Sequence, residues 1–227
     1  MTKTSDITQK SHKKGKTVRT LYKPNVLNNE FPVFRGELER LFEKHDVYVF
    51  GYGSLLCKAG WHNRGIYYTP QKHDFIECVL DGYERGPWGM FGEINFYGVV
   101  KNKRKRVNGV IVKIHDIFDW IALMRSEYVA GLSEKVNYRV VDVTRSIKNT
   151  PELPDNVVIH CVCNRPINRN LVLDTRPARS YYDNVWKLVC KGRSERFVTQ
   201  FLKTGGFKSN KEVDAFIKNM TQKNVKR

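Results

Sequence analysis

The sequence predicts an α+β fold. Segments rich in β-branched and aromatic residues, which are typical of strands, outnumber helical patterns between residues 47 and 163. Apolar residues at helical spacing follow from residue 182 onward, so helices close the chain. Strands followed by helices, rather than strict alternation of the two, favour the α+β class. A length of 227 residues with 41% hydrophobic residues suffices for one domain with terminal segments.

Three segments are predicted along the chain. Residues 1–28 hold seven Lys or Arg against one acid and lack apolar periodicity, so we expect a basic, disordered tail. Residues 29–203 form the predicted domain. Residues 204–227 are predicted to be a basic C-terminal helix or tail.

The domain is predicted to begin with a helix and a buried strand. Residues 34–44 place Phe34, Leu38 and Leu41 on one face, which favours an amphipathic helix. Residues 47–50, Val-Tyr-Val-Phe, favour a buried strand.

The remaining elements follow from similar patterns. A helix is expected over residues 117–124, with Asp116 at its N-cap. The basic run at 101–108 is expected to be a hairpin turn between two strands, and the glycine-rich run at 85–92 a pocket-lining loop or an irregular crossing. Further strands are predicted at residues 75–80, 96–101, 109–114, 138–143 and 157–163.

The most informative segment for function is the Phe-Gly-Tyr-Gly-Ser-Leu run at residues 50–55. A strand that ends in a turn bracketed by Gly51 and Gly53 can present consecutive backbone N–H groups to an anion. The alternative is an ordinary tight turn without chemistry. The run resembles the substrate loop of the γ-glutamylcyclotransferase-like superfamily, in which Tyr-Gly-Ser-Leu follows the first strand. This resemblance implies a small mixed β-barrel with flanking helices.

The same resemblance implies the site residues. Substrate contacts are expected from the loop residues Tyr52, Gly53, Ser54 and Leu55. The family carries one essential glutamate between a strand that begins Gly-Val and a later strand. Here the strand at 109–114, the helix after it, Glu127 and a strand opening at Tyr138 occur in that order. Glu127 is therefore carried over as the catalytic residue, against the commoner alternative of a solvated glutamate at a helix end.

Two tyrosines complete the expected substrate site. Tyr138 opens the strand after Glu127. Tyr182 ends the segment Pro-Ala-Arg-Ser-Tyr-Tyr at residues 177–182, which loosely resembles the Pro-Ser-x-x-Tyr segment that leads into the family's last helices.

The resemblance also implies the reaction. A γ-glutamyl compound would be cyclised when its own amine attacks its γ-carbonyl, giving 5-oxoproline and a free amine. Because both reacting groups belong to one molecule, the enzyme needs only to hold the folded conformer. Glu127 would take a proton from the attacking amine and return it to the leaving nitrogen. No metal and no organic cofactor are expected.

The cysteines indicate a reducing compartment. Their number is odd and their spacing irregular, so we expect no disulfide framework and a cytoplasmic location. Cys161 and Cys163 follow His160, which suggests either a metal site or thiols buried in a strand, and the strand pattern favours the thiols. The sequence lacks a run of about 18 apolar residues, so no membrane span is expected.

The net charge of +17 suggests a second class of partner. Basic tails bind nucleic acid or other polyanions, but they serve equally well as solubilising ends. One alternative function is therefore a catalytically silent member of the fold that binds nucleic acid or protein. Another is a related enzyme acting on a modified side chain or a nucleic-acid-linked amine. An open cavity between Glu127 and the 52–55 loop would favour an enzyme.

Overall fold

The protein is described by a computed structural model that covers residues 35–62, 64–91, 93–127, 138–164 and 175–225. The predicted N-terminal tail, residues 1–28, lies outside these ranges. The helices are α1 Arg35–Lys44, α2 Lys58–Trp61, α3 Ile117–Ser126, α4 Arg179–Gly192, α5 Glu195–Lys203 and α6 Asn210–Val225. The strands are β1 Asp46–Gly51, β2 Ile76–Phe91, β3 Ile94–Lys113, β4 Tyr138–Asp142, β5 Ile147–Lys148, β6 Val157–Asn164 and β7 Arg176–Pro177.

These strands form one mixed sheet with the helices around it, which confirms the predicted α+β class. The order is β4-β6-β1-β3-β2-β5, with β7 beside β3, and the sheet curls into an open half-barrel. The central strand β1 is parallel to β6 and antiparallel to β3. Since it has a neighbour on each side, β1 is buried along almost its whole length, as predicted.

β2 and β3 form a long antiparallel ribbon, and here two predictions are wrong. Residues 85–91 continue β2 instead of forming a loop, and residues 101–108 lie within β3 instead of joining two strands. The reason is that both apolar halves of β3 pair with β2. Several glycines of this ribbon allow another part of the chain to approach closely. A Cβ on Gly98, for example, would collide with the side chain of Asn164 on β6.

Most of the other predicted elements are confirmed. α1 buries Leu38 and packs Leu41 against the core. The Asp116 carboxylate accepts a hydrogen bond from the backbone N–H of Asp119 at 2.8 Å, so it caps α3 as predicted. β4 and β6 match the predicted strands, and Cys161 and Cys163 are buried free thiols in β6.

The C-terminal helices close one side of the half-barrel. α4 buries Tyr182 and Val189, and α5 buries Phe201. Phe207 and Val213 are also buried, so the segment after residue 203 packs on the same core. The division of the chain at residue 204 stays a prediction.

A buried arginine joins the sheet to α5. Arg85 of β2 is only 2% exposed, and its guanidinium lies 4.2 Å from the centre of the Phe201 ring. It also donates hydrogen bonds to Asn108 and to the Phe201 carbonyl at the end of α5. Carbonyls at a helix C-terminus carry partial negative charge, so they stabilise this cation. Burial nevertheless lowers the pKa of Arg85 to about 9.

Candidate active site

An open cavity of about 500 Å³ lies next to the turn that follows β1. It is lined by Ser54, Gly60, His62, Arg64, Phe96, Tyr97, Ser126, Glu127, Tyr138 and Tyr181. Of the residues predicted for the site, Ser54, Glu127 and Tyr138 therefore line one cavity, although three separate segments of the chain contribute them.

Glu127 is positioned by the end of α3. It is the C-cap residue, and its backbone N–H donates to the Leu123 carbonyl at 3.0 Å. Leu123 and Met124 are completely buried and fix this end of the helix against the core. The Glu127 side chain is 20% exposed, so its carboxylate is reachable from the cavity.

Arg64 connects this carboxylate to the loop. Its Nη1 pairs with Glu127 Oε1 and donates to Ser126 Oγ at 2.8 Å, while its Nη2 donates to Ser54 Oγ at 2.8 Å. Its Nε donates to the Gly60 carbonyl. A single guanidinium, 15% exposed, thus holds both predicted parts of the site together.

The loop lines the cavity with Ser54, and Gly53 lies against Tyr181 of the cavity wall. The backbone N–H of Ser54 lies close enough to the phenol of Tyr181 to oppose part of the rise in the pKa of that tyrosine. A Cβ on Gly53 would lie 2.5 Å from the phenol oxygen. Gly53 has φ −129°, so glycine is needed here for close approach and not for a left-handed backbone. At least one loop N–H therefore faces the cavity wall.

Tyr52 and Leu55 support the loop from behind and do not line the cavity. Both are buried in the core. The Tyr52 hydroxyl donates to the Val162 carbonyl of β6 at 2.7 Å, and burial raises the pKa of Tyr52 well above its usual range. The Leu55 carbonyl accepts from Trp61 Nε1 at 2.9 Å. These contacts fix the turn between β1 and α2.

The two predicted tyrosines have different positions. Tyr138 lines the cavity, whereas Tyr182 is 1% exposed and its hydroxyl donates to Asn95 Oδ1 at 2.7 Å. The neighbouring residue Tyr181 lines the cavity instead. Adjacent residues of a helix point about 100° apart, so only one of this pair can face the cavity. Burial, and next the charge of Glu127, raise the pKa of Tyr181, which keeps its hydroxyl protonated.

Aromatic rings form one wall of the cavity. Tyr181 packs edge-on against Phe96, with ring centroids 5.1 Å apart, and is tilted against Tyr97 at 5.9 Å. The hydroxyl of Tyr97 accepts from the Phe207 N–H at 2.7 Å, so this ring is fixed. The combination of an aromatic wall and a few converging polar groups is typical of small-molecule sites.

Sequence reasoning missed Arg64 and Tyr181. Arg64 is one of 40 Lys and Arg residues, and its segment has no periodic pattern that would indicate a site. Tyr181 did carry a signal, because it lies in the segment from which Tyr182 was chosen. The burial of Tyr182, Val185 and Val189 along one face of α4 shows which tyrosine belongs to the core.

No group of three or more His, Cys, Asp or Glu side chains in the described ranges is arranged to hold a metal ion. None of the helices there is long and apolar enough to cross a membrane.

Comparison by sequence gives no match, either to a protein-family profile or to a curated protein. Comparison by structure finds similar folds at low identity. The chain is similar to YkqA from Bacillus subtilis, with 17% identity and a TM-score of 0.48 over 71% of this chain. It spans about half of YkqA, 54% of that chain.

Two solved structures of similar fold are enzymes by name. One is a γ-glutamyl cyclotransferase, with 13% identity and a TM-score of 0.42 over 76% of this chain and 98% of that one. The other is a γ-glutamyl cyclotransferase specific to glutathione from yeast, with 11% identity and a TM-score of 0.44 over 73% and 98%. These similarities concern the backbone fold alone, and the function depends on the side chains that line the cavity.

Proposed function

We propose that this protein is a γ-glutamylcyclotransferase-like enzyme that converts a γ-glutamyl amide into 5-oxoproline and a free amine. The observation that carries the proposal is the meeting of Glu127 with Ser54 in one open cavity, joined by the guanidinium of Arg64. A carboxylate, a cation and a loop N–H are the groups that such a substrate needs.

Arg64 and Ser54 are proposed to bind the substrate's α-carboxylate. The guanidinium already holds one carboxylate, that of Glu127, and a planar fork of donors suits a second. The Ser54 hydroxyl lies 2.8 Å from Arg64 Nη2 and can donate to the same group. A substrate carboxylate at this position would partly release Glu127 from its ion pair.

The backbone N–H of Ser54 is proposed to bind the γ-carbonyl oxygen. It lies beside the phenol of Tyr181, which lines the cavity, so it is within reach of a substrate there. A fixed donor at an oxygen that gains negative charge during attack stabilises the transition state more than the ground state.

Glu127 is proposed to move the proton. The substrate's α-amine loses a proton to the carboxylate and its nitrogen attacks the γ-carbonyl carbon, which closes the five-membered ring. The tetrahedral intermediate then collapses, the bond to the leaving nitrogen breaks, and Glu127 returns the proton to that nitrogen. Atoms and charge balance without a metal or an organic cofactor, and attack within one molecule supplies much of the rate.

The aromatic wall is proposed to contact the substrate beyond its γ-carbonyl. Tyr138 and Tyr181 combine an apolar ring with a hydroxyl, so they can pack against the glutamyl chain and still hydrogen-bond. A cytoplasmic location is proposed together with this function, because all five cysteines are free thiols.

A substrate panel tests the proposal. Release of 5-oxoproline would be measured for γ-glutamyl dipeptides and γ-glutamyl amines, with the Glu127→Gln variant as the inactive control. Turnover of at least one compound by the wild type, and its loss in the variant, is the expected result. A panel without any turnover that depends on Glu127 would favour a catalytically silent fold that acts as a binding module.

A further inference from the structure

A basic bulge projects from the middle of the β2–β3 ribbon. The pairing of the two strands steps from Asp81–Arg106 to Tyr83–Lys101. Gly82 alone on β2 therefore stands opposite residues 102–105 on β3. Its φ of +79° is a left-handed conformation that glycine adopts readily, and it lets β2 turn under the extra residues. We define the basic bulge by its five cations, Lys101, Lys103, Arg104, Lys105 and Arg106, all of which are exposed.

Asn102 holds the bulge in shape. Its Oδ1 accepts from the backbone N–H of Arg104 at 3.2 Å, and its Nδ2 donates to Glu84 Oε2 at 2.8 Å. A neighbouring carboxylate is thus engaged by an amide and not by one of the cations. The bulge is an ordered feature, and this contact leaves its positive charge in place.

The charge of the bulge is hardly compensated. Within the described part of the chain, the one ion pair found for its five cations joins Arg106 to Asp81 at 3.8 Å, between side chains that are 68% and 51% exposed. Exposed pairs of this kind contribute little and are screened by salt.

More positive charge lies across the ribbon. β5 pairs with β2 at Leu80–Ile147, while Leu80 also faces Val107 of β3. Ile147 therefore lies two strands, or about 10 Å, from Val107, the first residue after the bulge. The exposed side chains of Arg145 and Lys148 flank Ile147 on this edge of the sheet.

We propose that the basic bulge binds the sugar–phosphate backbone of a nucleic-acid duplex. Its five cations are exposed together on one short stretch of β3, where they can contact several phosphates of a duplex. Residues 101–106 contain no apolar side chain. The core of a protein–protein interface is usually enriched in apolar and aromatic residues, and amphipathic membrane-surface segments usually insert apolar side chains, so phosphate binding suits this stretch better. Because Lys and Arg contacts to phosphates carry no sequence information, the binding is independent of sequence. This inference does not depend on the proposed enzymatic function.

The test uses the full chain and two variants of equal charge. In the bulge variant Lys101, Lys103, Arg104 and Lys105 are replaced by Gln. In the control variant four exposed lysines on other elements are replaced by Gln, namely Lys58, Lys72, Lys187 and Lys191. Fluorescence anisotropy with a short labelled duplex, repeated at several salt concentrations, gives the affinity and its salt dependence. Far-UV circular dichroism checks that both variants are folded.

Each lost phosphate contact reduces the slope of log affinity against log salt by about 0.9. The bulge variant is therefore expected to bind more weakly and with a slope shallower by roughly 3 to 4. The control variant should retain most of the wild-type slope. The same loss in both variants would overturn the proposal, because only total charge would then matter. Wild-type binding by the bulge variant would also overturn it, as would competition by poly-glutamate as effective as that by unlabelled duplex.

Discussion

Arg64 and Glu127 form an ion pair that also includes the Ser54 hydroxyl, so one guanidinium touches both the glutamate at the end of α3 and the loop after β1. The side chains of the pair are 15% and 20% exposed, which leaves them accessible from the cavity. The proposed substrate carboxylate would compete with Glu127 for this guanidinium. Binding of such a ligand would release Glu127 beside it.

Glu127→Gln is expected to abolish turnover and keep the fold. Glutamine retains an oxygen that accepts from Arg64, but it cannot take up a proton. Loss of general acid–base catalysis lowers kcat by about 10²–10⁴-fold. The rate of 5-oxoproline release and the urea unfolding midpoint would be measured together. Glu93→Gln is the matched control, since Glu93 pairs with Arg176 at 2.9 Å between largely exposed side chains. Equal activity in the two variants would remove Glu127 from the mechanism.

Arg64 is expected to select substrates that carry a free α-carboxylate. A hydrogen bond to a charged group is worth about 1.5–3 kcal/mol. The wild type should therefore prefer a γ-glutamyl compound over its α-carboxamide by roughly 10–100-fold in kcat/KM, and Arg64→Gln should lose this preference. Arg64→Lys should restore only part of it, because lysine has the charge without the planar fork. An undiminished preference in Arg64→Gln would place the α-carboxylate elsewhere.

Local sequence pattern predicted the fold well where each element is set by its own residues. The apolar run of β1, the helical spacing of α3 and its Asp116 cap each depend on neighbours along the chain. The continuation of β2 through residues 85–91 was missed because the need for a glycine there arises from another strand. A Cβ on Gly89 would lie 2.6 Å from the hydroxyl oxygen of Tyr138 on β4, and a single sequence gives no sign of that contact.

The site residues likewise include some that the sequence predicted and some that it did not. Ser54 and Glu127 were predicted because a short motif and the order of elements around them resemble a known family. Arg64 was missed because its importance comes from two partners that are distant in sequence. Tyr182 was chosen over Tyr181 because both fit the motif, and only the phase of α4 against the core separates them.

Gly53→Ala is expected to weaken binding of γ-glutamyl ligands because its Cβ would lie 2.5 Å from the Tyr181 hydroxyl oxygen. Either the loop or Tyr181 then has to move, and the backbone N–H of Ser54 would no longer point at the γ-carbonyl oxygen of the ligand. Removing the hydroxyl should relieve the contact, so the double variant Gly53→Ala with Tyr181→Phe should bind better than additivity of the two single variants allows.

Calorimetry with a γ-glutamyl ligand or 5-oxoproline would give the four affinities of this cycle. Gly36→Ala is the control, because no atom lies within 4 Å of the added Cβ and alanine suits a helix. Additive effects of the two substitutions would mean that the Tyr181 hydroxyl is not what excludes a side chain at position 53.

His160 is expected to make stability fall as the medium becomes acidic. Trp120 Nε1 of α3 donates to His160 Nδ1 of β6 at 3.1 Å, which requires an unprotonated Nδ1. Burial lowers the pKa of His160, and the charge of Asp142 opposes this only in part. The unfolded chain, with an ordinary histidine pKa of about 6.5, therefore binds the proton more readily. The contribution of His160 to the free energy of unfolding is fully present above about pH 6.5. It decreases as the pH falls towards the lowered pKa of His160 in the folded protein, by at most about 1.4 kcal/mol per pH unit.

The variant His160→Asn separates this titration from other acid effects. The Asn oxygen can accept from Trp120 in place of Nδ1, but it does not titrate near neutral pH. Urea unfolding between pH 5 and 8 should show a flatter dependence for His160→Asn than for the wild type. His62→Asn, at an exposed position, is the matched control. If both variants retain the full slope, protonation of other groups destabilises the protein.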